Sequence, residues 1–275
     1  ANGRARTYRN RFVRTESVAA ARPDLPAVGR APEGAIDPGK GAVHVIEHAG
    51  RILALGEVGL PWELSTKLDT IRPWSFDGRL LTSMTAHPKV DPVSGELHFF
   101  GYDFGPVHLR YHRASAAGEL VQTEIIDLPR PTMMHDFNIT ATRAVFMDLP
   151  VAFSMEHLAA GSMPFAWEPQ HGARLGVMPL GGSGSEVRWF DIDPCYVFHP
   201  LNAHDDGDRI VIDVMRYETM FDRSRIGPEG GPSRLWRWVI DPAAGTVTET
   251  QLDDRSAEFP RVADAVVGRR HRYGY

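Results

Sequence analysis

Short strand-length runs recur from one end of the chain to the other, with few long helical patterns between them. They read HVIEH (44–48), RILALGEV (51–58), ELHFFGYDF (96–104), VHLRYHR (107–113), RAVFMDLPVAF (143–153), RIVIDVMRY (209–217) and RLWRWVID (234–241). Each is rich in β-branched and aromatic residues, which suit a pleated, half-buried surface. Between them lie turn signals: Asp91-Pro92-Val93-Ser94-Gly95, Ala117-Gly118-Glu119, Asp205-Asp206-Gly207-Asp208 and Asp241-Pro242-Ala243-Ala244-Gly245. Proline, aspartate and glycine supply the backbone angles that tight hairpins need. Many short strands joined by such turns specify an all-β sandwich, barrel or propeller. DPVSGELHFF is echoed by DPAAGTVTET, which favours a propeller of related hairpins over the alternatives.

At 275 residues, 43% hydrophobic and 24% charged, the chain can bury a large core, and it is read as one partial propeller domain over 1–275. A formal net charge of −5 offers no basic field for a nucleic-acid backbone. The single cysteine, Cys195, excludes an internal disulfide and a cysteine zinc site. No run approaches the roughly 18 apolar residues of a spanning helix. The first residues lack the apolar stretch of a signal peptide, so the expectation is a cytoplasmic protein. The stretch RARTYRNRFVRTE (4–16) resembles a strand in mid-domain and the chain ends on aromatic residues, so both ends read as cut from something longer. Residues 150–176 break the period-2 pattern and are expected to form an apolar loop or short helix over the sheet. Such an insertion lines an apolar substrate route or touches a membrane surface, or is simply a packed loop. GGSGSE (181–186) is a turn, and no GxxxxGK[ST] phosphate loop exists.

Twelve histidines is a high count. His44, His48, His98, His108, His112, His157, His171 and His271 lie in strands, loops or a basic run, where a packed or solvated role is expected. Three others share a setting. His87 in MTAHPKVDP, His135 in PTMMHDFNIT and His199 in CYVFHPLNAHDDGD each follow apolar residues and precede a turn-forming or polar stretch. His87 is also stiff, because proline crowds the residue before it into the extended region. Intervals of 48 and 64 residues exclude a local helical zinc motif but suit three histidines from different blades that point towards a common axis. Imidazoles accept zinc, copper, iron or nickel, so the pattern leaves the metal open, and it equally allows three separately hydrogen-bonded histidines.

NRFVRTE, LALGEVGLPWEL, TAHPKVDPVSGELHFFGYDF, MMHDFNIT, FHPLNAHDDGD and EFPRV, in that order, resemble the carotenoid cleavage oxygenase family. The resemblance implies a seven-bladed β-propeller, incomplete here, around a non-haem Fe(II) held by four histidines. On that basis His87, His135 and His199 are three of the ligands, and the fourth lies outside this chain, because His271 in GRRHRYGY does not match its setting. It also implies that Glu57 supports His135 and Glu258 supports His199, since a carboxylate on the far ring N–H fixes tautomer and orientation. The implied reaction is cleavage of a conjugated C=C bond by O2 into two carbonyl products, on an apolar polyene such as a carotenoid or apocarotenoid. Stilbene-cleaving relatives carry a lysine before the corresponding glutamate, where this sequence has Gly56, so a phenolic stilbene is the less favoured substrate. Two further readings remain: a propeller hydrolase or lactonase, with oxygen ligands such as Asp136, Asn138, Asn202 or Asp205, and an inactive propeller fragment.

Overall fold

The computed structural model describes residues 7–222 and 228–275. Four antiparallel four-stranded sheets follow one another along the chain. Sheet I contains β1 (His44–His48), β2 (Arg51–Leu55), β3 (Trp62–Leu64) and β4 (Thr70–Pro73). Sheet II contains β5 (Lys89–Val90), β6 (Leu97–Tyr102), β7 (Leu109–Ala114) and β8 (Leu120–Ile126). Sheet III contains β9 (Asn138–Ile139), β10 (Arg143–Asp148), β13 (Ala173–Pro179) and β14 (Arg188–Ile192). Sheet IV contains β15 (Tyr196–Asp206), β16 (Arg209–Tyr217), β17 (Arg234–Asp241) and β18 (Thr246–Gln251). Each sheet is an up-and-down meander, the blade unit of a propeller, and the chain forms a contiguous part of one.

The two echoed turns are built identically. Asp91 Oδ1 accepts from the N–H groups of Val93 and Ser94, with Gly95 at φ 72°, and Asp241 Oδ1 accepts from Ala243 and Ala244, with Gly245 at φ 70°. They occupy different places in their blades, the first joining β5 to β6 and the second β17 to β18. The echo is therefore shared turn chemistry rather than a repeat of equivalent blade positions.

Two expectations about strands need correction. The stretch 143–153 is not one strand: β10 ends at Asp148, and β11 (Val151–Phe153) resumes in a separate ribbon with β12 (Phe165–Trp167). Pro150 has no N–H to give to a ladder, and the chain leaves sheet III there. Nor do residues 7–15 form a strand; Thr15 instead caps the short helix α1 (Glu16–Ala21) by accepting from Val18 N–H. Positions 4–6 of that stretch lie outside the described residues. Within 150–176 the chain makes β11, the short helix α2 (Met155–Ala159) and β12 before entering sheet III, so the expected loop carries a small hairpin of its own.

Face-to-face packing of sheets explains why the central strands are apolar without alternation. Every residue of β6 is buried. The larger core, between sheets II, III and IV, includes Phe100, Tyr111, Phe137, Phe146, Tyr196 and Trp238. The smaller one, between sheets I and II, includes Leu53, Leu55, Trp74, Phe76 and Phe99. At about 25 cal/mol per Å² of apolar surface, each such aromatic contributes several kcal/mol to holding neighbouring blades together.

Candidate metal centre

His87, His135 and His199 stand at the start of the first strands of sheets II, III and IV. His87 lies two residues before β5, His135 three before β9, and His199 near the start of β15. Local structure aims each one. His87 N–H donates to Thr85 Oγ1 at 3.1 Å, and the same hydroxyl lies 3.3 Å from the carbonyl oxygen of His135, which couples the two backbones. The β11–β12 ribbon braces the approach to His135: Met133 N–H donates to Val151 O, and Phe153 N–H to Pro131 O. Along β15 the register against β16 shifts twice, on either side of Pro200, so a bulge re-aims His199.

The three rings converge. His135 Nε2 lies 3.0 Å from His87 Nε2 and 3.2 Å from His199 Nε2. One nitrogen from each falls within 4.8 Å of the others, the sole such His/Cys/Asp/Glu grouping among the described residues able to hold a metal ion. On the far side, His199 Nδ1 donates to Glu258 Oε2 at 2.7 Å. His135 Nδ1 lies 2.7 Å from Glu57 Oε2, close enough to face it but less well aligned than the His199 bond. With both Nδ1 protons facing carboxylates, the Nε2 atoms of His135 and His199 present lone pairs to each other. Only a cation or a proton reconciles three such nitrogens at these separations, so the donor set fits a metal ion of the imidazole-accepting class.

His87 differs from its partners. Its nearest carboxylate oxygen, Asp136 Oδ2, is 3.8 Å from Nδ1, and the other oxygen of Asp136 holds Lys89 Nζ at 2.7 Å. Burial, followed by the neighbouring His135 and Lys89, drives the His87 pKa far below the ordinary histidine value, so this ring is neutral. Burial also pulls His135 down, but the carboxylates of Glu57, Asp136 and Glu258 more than offset it and raise its pKa. Burial pushes Glu258 up, yet His199, the Phe259 N–H and Tyr217 outweigh it and keep the carboxyl below its usual range.

Other histidines are placed elsewhere, with one partial exception. His44, the first residue of β1, donates from Nδ1 to the carbonyl of Ala86 at 2.9 Å, and its ring centre is 6.3 Å from that of His87. It therefore braces the segment that bears His87 without joining the cluster. His271 pairs with Asn202 and lies 3.7 Å from Asp213, away from the three rings. Three of the four oxygen ligands of the hydrolase reading have other partners, Asp136 with Lys89, Asp205 Oδ1 with Thr140, and Asn202 with the backbone at Val266, Gly268 and Arg269, while Asn138 is buried in β9 with its Nδ2 unbonded. Sequence reasoning missed Lys89, Tyr102 and Tyr217, which hold the carboxylates around the cluster. Their only sequence signal is a position at the end or start of a strand.

Aromatic rings lead outward from the cluster. Phe198 meets His135 edge-on at 5.1 Å between ring centres and Phe221 at 6.5 Å; Phe221 meets Phe165 at 5.9 Å. Phe165 then neighbours Phe104 at 6.1 Å, which stacks on Phe153 at 4.1 Å. The series ends beside α2, where Met155 and Leu158 are exposed. No helix among the described residues is long and apolar enough to cross a membrane.

Known proteins resemble the chain in sequence and in fold. The chain is 40% identical to a carotenoid cleavage oxygenase of Mycobacterium tuberculosis, over all of this chain and 64% of the relative. An isoeugenol monooxygenase of Pseudomonas putida is 34% identical over 84% of this chain and 51% of its own length. Among solved structures, the lignostilbene dioxygenase of Pseudomonas brassicacearum superposes with a TM-score of 0.81 at 29% identity, over 96% of this chain and 60% of that one. A cobalt-substituted Synechocystis protein, ACO, does so with a TM-score of 0.77 at 26% identity, over 86% of this chain and 53% of that one. The chain thus spans less than two thirds of these relatives. The model of the family described as retinal pigment epithelial membrane protein matches residues 1–275, and the chain belongs to that family, the carotenoid oxygenases.

Proposed function

We propose that the protein containing this chain is a non-haem Fe(II) dioxygenase that cleaves a conjugated C=C bond of a carotenoid or apocarotenoid, giving two carbonyl products. The observation that carries this reading is the convergence of His87, His135 and His199 on one small volume, with carboxylates behind two of them. Iron(II), held by these imidazoles and a further ligand, would supply binding and activation of O2. This chain's residues do the rest. Glu57 and Glu258 hold the Nδ1 protons of His135 and His199, which keeps both Nε2 lone pairs directed at the shared volume. The aromatic series from Phe198 to Phe153, buried at Phe165 and Phe221 and open to solvent at Phe104, offers an apolar wall for an extended polyene.

Gly56 supports a polyene over a phenolic stilbene. A Cβ at that position would lie 3.1 Å from Lys40 N and 3.3 Å from Gly41 N, so the backbone itself crowds the place where stilbene-cleaving relatives carry lysine. Exposed Met155 and Leu158 at the outer end of the aromatic series suit peripheral contact with the apolar phase in which such substrates dissolve.

The test uses the full-length protein. Wild type is expected to bind one equivalent of iron and to incorporate oxygen from labelled O2 into aldehyde products of an apocarotenal; His135→Ala is expected to lose both. Turnover by His135→Ala, or products without label, would overturn the proposal.

A further inference from the structure

We infer that Tyr102 and Tyr217 are positioning residues of the metal centre, each fixing the rotation of the glutamate that backs a histidine ligand. This rests on the metal-binding reading above. The two arrangements are parallel, with one addition at Glu258, whose Oε2 also accepts from the Phe259 N–H at 2.6 Å. Tyr102 Oη donates to Glu57 Oε1 at 2.9 Å while Oε2 of that glutamate faces His135 at 2.7 Å. Tyr217 Oη donates to Glu258 Oε1 at 2.9 Å while Oε2 accepts from His199 at 2.7 Å. Both tyrosines are the last residue of the second strand in their sheets, β6 and β16.

A glutamate needs such a clamp. Its terminal torsion is broad, and its two oxygens offer about four lone-pair directions. Unrestrained, either oxygen could face the ring, or the carboxylate could turn to water, since Glu57 and Glu258 side chains retain 27% and 20% exposure. A phenol on Oε1 removes that freedom and leaves Oε2 for the imidazole. Burial, reinforced by the neighbouring carboxylates, raises both phenols above their ordinary value, Tyr217 to about 12, so each stays a proton donor.

The relays also explain how distant parts of the fold register on one point. Tyr102 in sheet II holds Glu57, which follows a strand of sheet I, against His135, which precedes a strand of sheet III. Tyr217 and His199, both in sheet IV, hold Glu258, which follows the last strand of that sheet. A buried tyrosine needs an acceptor in any fold. Tyr217 is only partly buried, however, so its hydroxyl could have been satisfied by water without engaging Glu258.

Co(II) titration of the full-length protein, followed by its visible ligand-field bands and by chelator competition, separates positioning from packing. Tyr102→Phe and Tyr217→Phe keep the ring and lose only the hydroxyl. Each is expected to raise the Co(II) Kd about tenfold, the lower end for groups that orient metal ligands, and to shift the bands. Tyr111→Phe is the control: its hydroxyl bonds to His98 in the interior, so it is expected to lower stability and leave the Co(II) Kd and bands unchanged. Wild-type Kd and bands in both Tyr102→Phe and Tyr217→Phe, or equal weakening by Tyr111→Phe, would overturn the inference while leaving the metal centre intact. If Tyr102→Phe does not fold, Tyr217→Phe decides. A wild-type protein that binds no Co(II) would remove the metal centre and this inference together.

Discussion

Two buried histidines outside the metal centre make acid stability a quantitative test of the fold around His87. His98 and His112 lie on β6 and β7, each almost wholly buried. His98 Nδ1 meets Tyr111 Oη at 2.7 Å; His112 bridges Thr123 Oγ1 at 2.9 Å and Thr82 Oγ1 at 3.3 Å, which ties the approach to His87 onto sheet II. Burial lowers the pKa of His98 to about 4, against the partly opposing charges of Glu96 and Asp91, and that of His112 to about 3, with Arg110 adding to the effect. Both folded values are depressed, so below the unfolded value of about 6.5 the unfolded chain binds protons that the folded chain refuses. Stability therefore falls as pH drops from about 6.5 towards the folded values. At about 1.4 kcal/mol per pH unit, each histidine costs roughly 2 kcal/mol at pH 5, and the pair about 4 kcal/mol. Urea unfolding of the metal-free protein at pH 8 and pH 5, in wild type and His112→Gln, isolates one share. The loss between the two pH values is expected to be smaller in His112→Gln by about 2 kcal/mol. An identical loss in both proteins would show that His112 is protonated in the fold and that this part of the reasoning is wrong.

Two further outcomes are expected. Glu258→Gln keeps the shape but removes the charge that His199 and Tyr217 address, so metal affinity in the full-length protein should fall about 10- to 100-fold by chelator competition, with little change in unfolding midpoint. Lys89→Met strands the buried Asp136 carboxylate and should cost about 3 kcal/mol in denaturant unfolding, most of it regained in Lys89→Met with Asp136→Asn; a neutral single substitution would show the pair to be solvated.

The strands that sequence reasoning found best are those with hairpin turns at their ends. HVIEH and RLWRWVID match β1 and β17, and RIVIDVMRY matches β16. The shortest strands escaped it, even β5, which a clear turn signal follows. β3 has three residues and β5 and β9 two each, too few for a periodic signal, yet β5 and β9 open sheets II and III just after His87 and His135. The stretch 143–153 misled because composition alone does not show where a strand leaves its sheet; Pro150 was the available clue. His87, His135 and His199 were legible from their shared setting, whereas their convergence depends on tertiary packing. Tyr102 and Tyr217 look like ordinary strand residues, because a hydroxyl's acceptor 45 or 41 positions away leaves no local trace.

Spacing and architecture now account for one another. A four-stranded blade consumes roughly 40 to 50 residues in propellers of this general kind. His44, His87 and His135 follow that step, each at or just before the first strand of sheets I, II and III. The interval of 64 from His135 to His199 is longer because sheet III carries the β11–α2–β12 excursion between its second and third strands. That excursion is therefore an addition to the blade step. It gives the fold two things at once: the ribbon contacts that hold Met133 and Pro131 ahead of His135, and the outer end of the aromatic series that begins at Phe198. Equivalent blade positions thus do different work according to what packs behind them. His135 and His199, backed by glutamates, face the shared volume, whereas His44, bonded to the Ala86 carbonyl, braces the segment just before β5 that carries His87.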